Sequence, residues 1–245
     1  MPSIKIENLR FSYKKKKAEK FILDNISADF KSDKIHVILG KSGCGKTTLL
    51  KCIAGLLDYK EGHIYFDDIL IDNVPAQNRK LGYVTQEFGL YPHFTLFKSI
   101  SYPLVINGTN TEEIRYRLEQ IATDFGIKDI LSRKPKQVSI GQAQRAALAR
   151  ALIKRPSICL FDEPLSNLDA LNRQEIRRYL KDNLKKYSCT AIYVTHDLTE
   201  ATALADYIYL LDEEGFVASG TVNDILYSKN IKVREFFDNL KNETI

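Results

Sequence analysis

The stretch Gly40-Lys41-Ser42-Gly43-Cys44-Gly45-Lys46-Thr47-Thr48 decides how this chain folds. It follows an apolar β-type run, Ile35-His36-Val37-Ile38-Leu39. It precedes a helical pattern that should open after Gly45 and close near Gly55, a residue suited to a helix C-cap. The pattern G-x-x-x-x-G-K-[ST] is met in full, and in the right context. Glycines let such a loop bend until several backbone N–H groups point at one spot. The helix start behind it adds partial positive charge. The product is a cradle for phosphate oxygens, in which Lys46 supplies a full charge to the outer phosphates and Thr47 offers a hydroxyl to a magnesium ion. The reading as an idle glycine-rich turn is set aside because motif and context agree.

Outward from that loop, the first 85 residues read as strand-rich, with short β-type runs at Ile4-Lys5-Ile6 and Phe21-Ile22-Leu23. The middle reads as helical. In Thr111 to Phe125, Ile114, Leu118, Ile121 and Phe125 recur at helical spacing behind an acidic first turn, Glu112-Glu113. A second helix is expected over Gln142 to Lys154, stopped by Pro156. Alternation then returns: a buried strand at Ser157 to Phe161, a helix at Asn172 to Lys186, a strand at Thr190 to Thr195, a helix at Leu198 to Ala205 and a strand at Tyr207 to Leu211. The expected architecture is a single α/β domain over 1–245. Its nucleotide-binding core spans 1–87 and 156–245, and a helical segment is inserted at 88–155.

Composition bounds the rest. The chain has 245 residues, of which 44% are hydrophobic, enough for a proper core. The net charge of +5 owes most to one run, Lys14, Lys15, Lys16 and Lys17. That run reads as a solvated loop tip, so a basic face for nucleic acid is not indicated. The cysteines Cys44, Cys52, Cys159 and Cys189 have no C-x-x-C spacing, which fits a reducing compartment, and Cys159 reads as plain core. The alternating start, Met1 to Arg10, reads as a strand and not as a signal peptide. No window approaches the roughly 18–20 apolar residues of a membrane span.

A magnesium–nucleotide site needs a carboxylate at the end of a neighbouring strand. Asp162 ends the run Ile158-Cys159-Leu160-Phe161, and Glu163 follows it. Alone, this pair reads equally as the start of a surface loop. Beside a phosphate cradle, Asp162 reads as the residue that faces the metal's water shell. Glu163 then reads as the group that orients and polarises an attacking water.

From here the residues resemble the ATP-binding subunits of ABC transporters over nearly the whole chain. Gly40 to Thr48 resembles their Walker A segment and Ile158 to Pro164 their Walker B. Val138-Ser139-Ile140-Gly141-Gln142 resembles the signature loop, Gln86 the Q-loop glutamine, Ser166-Asn167-Leu168-Asp169 the D-loop and His196 the switch histidine. Tyr13 matches the aromatic that stacks on adenine. The resemblance implies a P-loop NTPase (RecA-like) core with an N-terminal antiparallel β subdomain and an inserted α-helical subdomain. It also implies ATP and Mg²⁺ as cofactors. ATP would be held by Tyr13, by Gly40, Lys41, Ser42, Gly43, Cys44, Gly45, Lys46, Thr47 and Thr48, and by Asp162. Thr47, Gln86 and Asp162 would serve the metal, and Glu163, His196 and Gln86 the reaction. Ser139, Gly141 and Gln142 would grip ATP held by a second subunit.

One departure stands out: Ile140 replaces the first glycine of the family's Leu-Ser-Gly-Gly-Gln. If that position needs positive φ, the branched side chain weakens closure. If its φ is negative, only a side chain is added.

The resemblance further implies a dimer, with itself or with a similar ATPase, on the cytoplasmic face of the cell membrane. Separate transmembrane permease subunits would dock near Gln86 to Thr95, and an extracytoplasmic solute-binding protein would belong to the same system. Val74 to Arg79, Leu90 to Thr95 and Ala201 to Thr221 resemble importers of the sugar, polyamine, ferric-ion or sulfonate type. The regulatory domain that many of those carry beyond this point is expected to be lacking. An exporter or lipoprotein-release ATPase, and a nucleotide-binding regulator with little turnover, stay open. A DNA-repair or translation role does not fit, since neither a long coiled-coil insertion nor a second ATPase half is present.

Overall fold

The computed structural model of the chain describes residues 1–13 and 21–241; the lysine run at 14–17 lies outside the described residues. In chain order the strands and helices are β1 (Ile4–Phe11), β2 (Leu23–Phe30), β3 (Ile35–Leu39), α1 (Lys46–Ala54), β4 (Glu61–Phe66), β5 (Ile69–Leu70), β6 (Gly82–Val84), α2 (Leu96–Ile106), α3 (Thr111–Asp124), α4 (Ile140–Leu152), β7 (Ile158–Asp162), α5 (Ala170–Lys186), β8 (Thr190–Thr195), α6 (Leu198–Leu204), β9 (Tyr207–Asp212), β10 (Gly215–Thr221), α7 (Val222–Leu226) and α8 (Ile231–Lys241). They fall into two compact units, Met1–Lys80 with Thr190–Ile245, and Leu81–Cys189. These boundaries differ from 88–155, because β6 and β7 group with the helices.

In the first unit, β2, β1, β4 and β5 form an antiparallel sheet in that order. A second sheet places β3 between β8 and β9, parallel to both, with β10 antiparallel on β9. Every residue of β3 and of β8 is buried, as expected of parallel strands covered on both faces. The burial is what turns the chain end of β3 into a fixed platform for the glycine loop. Helix α1 leaves that loop and closes at Gly55, φ 72°. Arg79, buried, donates to the carbonyls of Cys52 (3.0 Å) and Ile53 (2.9 Å), so a cation closes the negative end of α1.

In the second unit, β6 lies parallel to β7. Helix α3 buries Ile114, Leu118 and Ile121 as their spacing predicts, with Phe125 fully buried just past its end. Asn110 is its N-cap, accepting from Glu113 N at 2.9 Å. Cys159 is wholly buried in β7, as expected, and burial pushes its thiol upward in pKa.

Three boundaries need correction, and one helix is new. Phe21 and Ile22 are not in a strand: Ile22 donates to Phe11 O, but the ladder starts only at the Leu23–Phe11 pair. Helix α4 begins at Ile140, two residues before the expected Gln142, because Ser139 and Gln142 cap it. Helix α5 begins at Ala170 on the N-cap Asp169. Helix α2 has no counterpart in the sequence reading. Lys98, Ser99 and Ser101 break up its apolar residues, and Pro103 sits inside it. What makes it a helix is the Thr95 cap, which accepts from Lys98 N at 3.3 Å, and the burial of Leu96, Ile100 and Leu104.

Candidate functional site

Of the residues expected to act, Tyr13, Gly40 to Thr48 and His196 belong to the first unit. Gln86, Ser139, Gly141, Gln142, Asp162 and Glu163 belong to the second.

The glycine loop joins the buried end of β3 to α1. Gly43 (φ 85°) and Gly45 (φ 104°) take left-handed conformations that a side chain disfavours. Gly45 is the N-cap of α1 and provides no side-chain acceptor, so the first-turn N–H groups of this helix are not capped from that position. That is a donor set matched to an anion. Lys46 is only 4% exposed, and its Nζ donates to Gly40 O (2.9 Å) and Lys41 O (2.8 Å). An ammonium is thereby held directly over the loop. Tyr13 stands exposed at the same helix, its hydroxyl 3.2 Å from Thr48 Oγ1 and its ring edge-on to Phe11 at 4.8 Å. Burial raises the pKa of Cys44, which leaves the thiol as packing and not as a nucleophile.

Gly40 has a different constraint. A Cβ placed there would sit 2.3 Å from Leu211 O and 2.8 Å from Cys44 Sγ. Gly40→Ala is therefore expected to destabilise the chain by about 1–3 kcal/mol through overpacking. This lowers Tm by roughly 2–4 °C per kcal/mol, read by thermal unfolding.

A cleft of about 720 Å³ lies against Lys41, Ser42 and Cys44 on one side and the β9–β10 turn and α8 on the other. Asp212, Glu213, Glu214 and Glu235 line it. These four carboxylates outnumber Lys41 and Lys232 in its lining, which disfavours a polyphosphate deep inside it.

His196 is exposed in the bend after β8. The residues around it carry signals missed in the sequence. Thr195 O accepts from Gly40 N at 3.3 Å. Thr195 Oγ1 donates to Glu200 Oε2 at 2.9 Å and accepts from Asp197 N at 3.0 Å. Asp197 caps α6, accepting from Thr199 N (2.7 Å) and Glu200 N (3.1 Å). The spacing of an Asp three residues before a Glu at a helix start was the available clue.

In the second unit, Asp162 ends β7 and is buried, and Tyr83 donates to its Oδ2 at 3.2 Å. Burial and the neighbouring Asp162 charge push the Tyr83 phenol up. Glu163 has φ 44°, a left-handed conformation that costs a non-glycine residue of order 1–3 kcal/mol. Its carbonyl accepts from Ser166 Oγ at 3.0 Å. Gln86 lies exposed in the turn after β6, and its carbonyl receives Asn167 Nδ2 at 3.5 Å. The fold thus brings Gln86 to Asn167.

At the start of α4, Ser139 Oγ accepts from Gln142 N (3.2 Å) and Gln142 Oε1 accepts from Ser139 N (3.0 Å), a reciprocal capping box. Gly141 is buried, and a Cβ there would meet Asn172 Oδ1 at 2.9 Å. Ile140 is the first residue of α4, outside the left-handed region and 59% exposed. The second alternative for Ile140 therefore holds: it adds a side chain and no backbone strain. Ile140→Gly should keep Tm within about 2–4 °C, since one exposed helical glycine costs at most about 1 kcal/mol. ATP turnover by the variant should stay within about threefold of wild type, because the capping box does not involve side chain 140. A tenfold gain would reveal steric obstruction instead.

A buried lysine over a glycine loop that opens a helix, behind a parallel strand, defines a P-loop nucleotide-binding protein of mixed α/β build. A family model described as ABC transporter matches residues 23–166, more than half of the chain, and the chain belongs to that family. It is 41% identical over 212 residues to the maltose/maltodextrin import ATP-binding protein MalK of Aliivibrio fischeri, covering 86% of this chain and 56% of that one. It is 38% identical over 208 residues to the sn-glycerol-3-phosphate import ATP-binding protein UgpC of Chromobacterium violaceum, covering 85% and 56%. The chain thus spans little more than half the length of these curated relatives. Among solved structures it resembles the dimeric structure of MJ0796, a bacterial ABC transporter cassette, with TM-score 0.80 and 30% identity over 89% of this chain and 98% of that one. The same cassette is known as a dimer in a post-hydrolysis state bound to ADP and Pi, again with TM-score 0.80.

Proposed function

We propose that this chain binds and hydrolyses ATP to drive import of a solute through separate transmembrane subunits. The observation that carries the reading is the buried Lys46 ammonium held over the glycine loop at the start of α1. The relatives named as import ATP-binding proteins supply the direction of transport.

The roles follow from chemistry. The N–H groups of Gly40 to Thr48 and the Lys46 ammonium neutralise the phosphates, and Tyr13 offers a face to the base. Thr47, Asp162 and Gln86 are the oxygen donors suited to Mg²⁺, a hard cation that would neutralise charge on the outer phosphates. Glu163 orients the attacking water and withdraws its proton, and His196 donates to the γ-phosphate. The start of α4 at Ser139, Gly141 and Gln142 serves the nucleotide of a second copy, a reading supported by the dimeric cassette of similar fold. Because ATP would bind the closed pair better than the open one, its binding closes the dimer and loss of the γ-phosphate reopens it.

Among the described residues no helix is long and apolar enough to cross a membrane. The relatives' printed role as import ATP-binding proteins supports passing the motion to membrane subunits at the cytoplasmic face. Exposed Tyr91 and Phe97, with Tyr91 packed 5.2 Å from both Phe94 and Tyr102, make an aromatic surface a few residues along the chain from Gln86, suited to receive them.

Purification of the tagged chain from its native membranes should bring down a permease and, in crosslinked whole cells, a solute-binding protein. Uptake of that protein's ligand should stop when ATP is withheld. Recovery of an export or lipoprotein-release permease would overturn the import reading and leave the ATPase reading intact.

A further inference from the structure

We infer that Thr195 and Glu200 are positioning residues that hold His196 against the phosphate loop. The inference rests on the reading of His196 as the γ-phosphate contact. His196 is exposed on a bend. The backbone on either side of it is fixed. Thr195 Oγ1 accepts from Asp197 N at 3.0 Å, a turn that spans His196. The same oxygen donates to Glu200 Oε2 at 2.9 Å. Asp197 Oδ1 in turn accepts from Glu200 N at 3.1 Å. The three bonds close a ring around the histidine. The ring is tied to the phosphate loop by Gly40 N, which donates to Thr195 O at 3.3 Å.

The Glu200 side chain is part of the core, at 2% exposure, and its Oε2 also accepts from Tyr193 OH at 2.8 Å. A buried carboxylate is costly unless hydrogen-bonded, and helix stability alone would be served as well by an exposed acid at that position. Hydrogen bonds in series polarise one another, so the chain Asp197 N–H to Thr195 O–H to Glu200 stiffens as a unit. A rigid anchor of this kind is what a group needs if it is to meet a phosphate oxygen within a fraction of an ångström.

The test uses the full transporter assembled with its membrane subunits. Steady-state ATP turnover is compared for wild type, Thr195→Val, Thr195→Ser, Glu200→Ala, Glu200→Gln and His196→Ala. Thr195→Val should lower kcat by about 10-fold or more with KM for ATP changed by less than about twofold, the mark of lost transition-state positioning. Thr195→Ser should recover to within about threefold, since it keeps the donor and the acceptor. Glu200→Gln should recover relative to Glu200→Ala, since its amide oxygen keeps an acceptor for Thr195 and Tyr193. Thr195→Val in the His196→Ala background should cost nothing further, because the two act as one unit. Glu200→Ala is the variant most at risk of misfolding; the isosteric Thr195 pair is independent of it. If Thr195→Val keeps kcat within twofold, or loses activity additively with His196→Ala, the inference is overturned while the site reading stands. If His196→Ala itself turns over at the wild-type rate, both are overturned.

Discussion

Lys46→Ala should abolish nucleotide-driven work: ATP affinity falls by about 10- to 100-fold or more, and turnover drops below detection in the assembled transporter. The scale follows from one charge-assisted contact, about 1.5–3 kcal/mol, made to more than one phosphate oxygen. The transition state adds to it, since a single donor removed from developing charge costs about 10²–10³ in rate. The side chain also has a structural role, because its ammonium satisfies Gly40 O and Lys41 O. The variant should therefore unfold a few degrees earlier even without nucleotide, as two carbonyls lose a donor at about 1 kcal/mol or more. Fluorescent-nucleotide titration and thermal unfolding read the two effects separately. Binding within threefold of wild type would mean that the cradle is not where ATP sits.

Glu163→Gln separates binding from chemistry. The amide matches the carboxylate in shape and keeps the same backbone, so ATP should bind with near wild-type affinity. Turnover should fall by about 10²–10⁴, the contribution of a positioned base. With hydrolysis blocked and binding intact, ATP-loaded dimers should accumulate, visible as doubled mass by light scattering. The left-handed backbone at this position supplies a second readout. Glu163 pays for φ 44° with steric strain. Glu163→Gly should therefore match or exceed the wild-type Tm while losing turnover. A gain in stability against a loss of activity is expected where strain serves a function, and not where Glu163 merely begins a surface loop. If Glu163→Gln hydrolyses ATP at the wild-type rate, the base lies elsewhere.

The nucleotide loop, the strand before it, the helix closing at Gly55 and the carboxylate pair after β7 could be read from the chain because their causes are local. Glycine at positive φ, a helix start and an apolar run are each a matter of a few adjacent residues. The family resemblance was legible for the same reason. Helix α2 was not, because Pro103 inside it argues against a helix, and only burial by neighbouring elements holds Leu96, Ile100 and Leu104 on one helical face. The capping box of Ser139 and Gln142 is a local signal as well, and it starts α4 at Ile140 where the apolar spacing alone points to Gln142.

What the amino-acid order determined by itself is the family, the glycine loop between β3 and α1 and the carboxylates that follow β7, all short-range consequences of backbone sterics and charge. The tertiary structure alone decided three things. Ile140 takes a helical conformation, because α4 begins at that residue. Tyr83 reaches Asp162 because β6 pairs with β7. Thr195 links Gly40 to Glu200 because β3 and β8 lie side by side. Hydrogen bonds between residues distant in the chain exist only once strand register and burial have brought donors to acceptors, and no local pattern encodes that meeting.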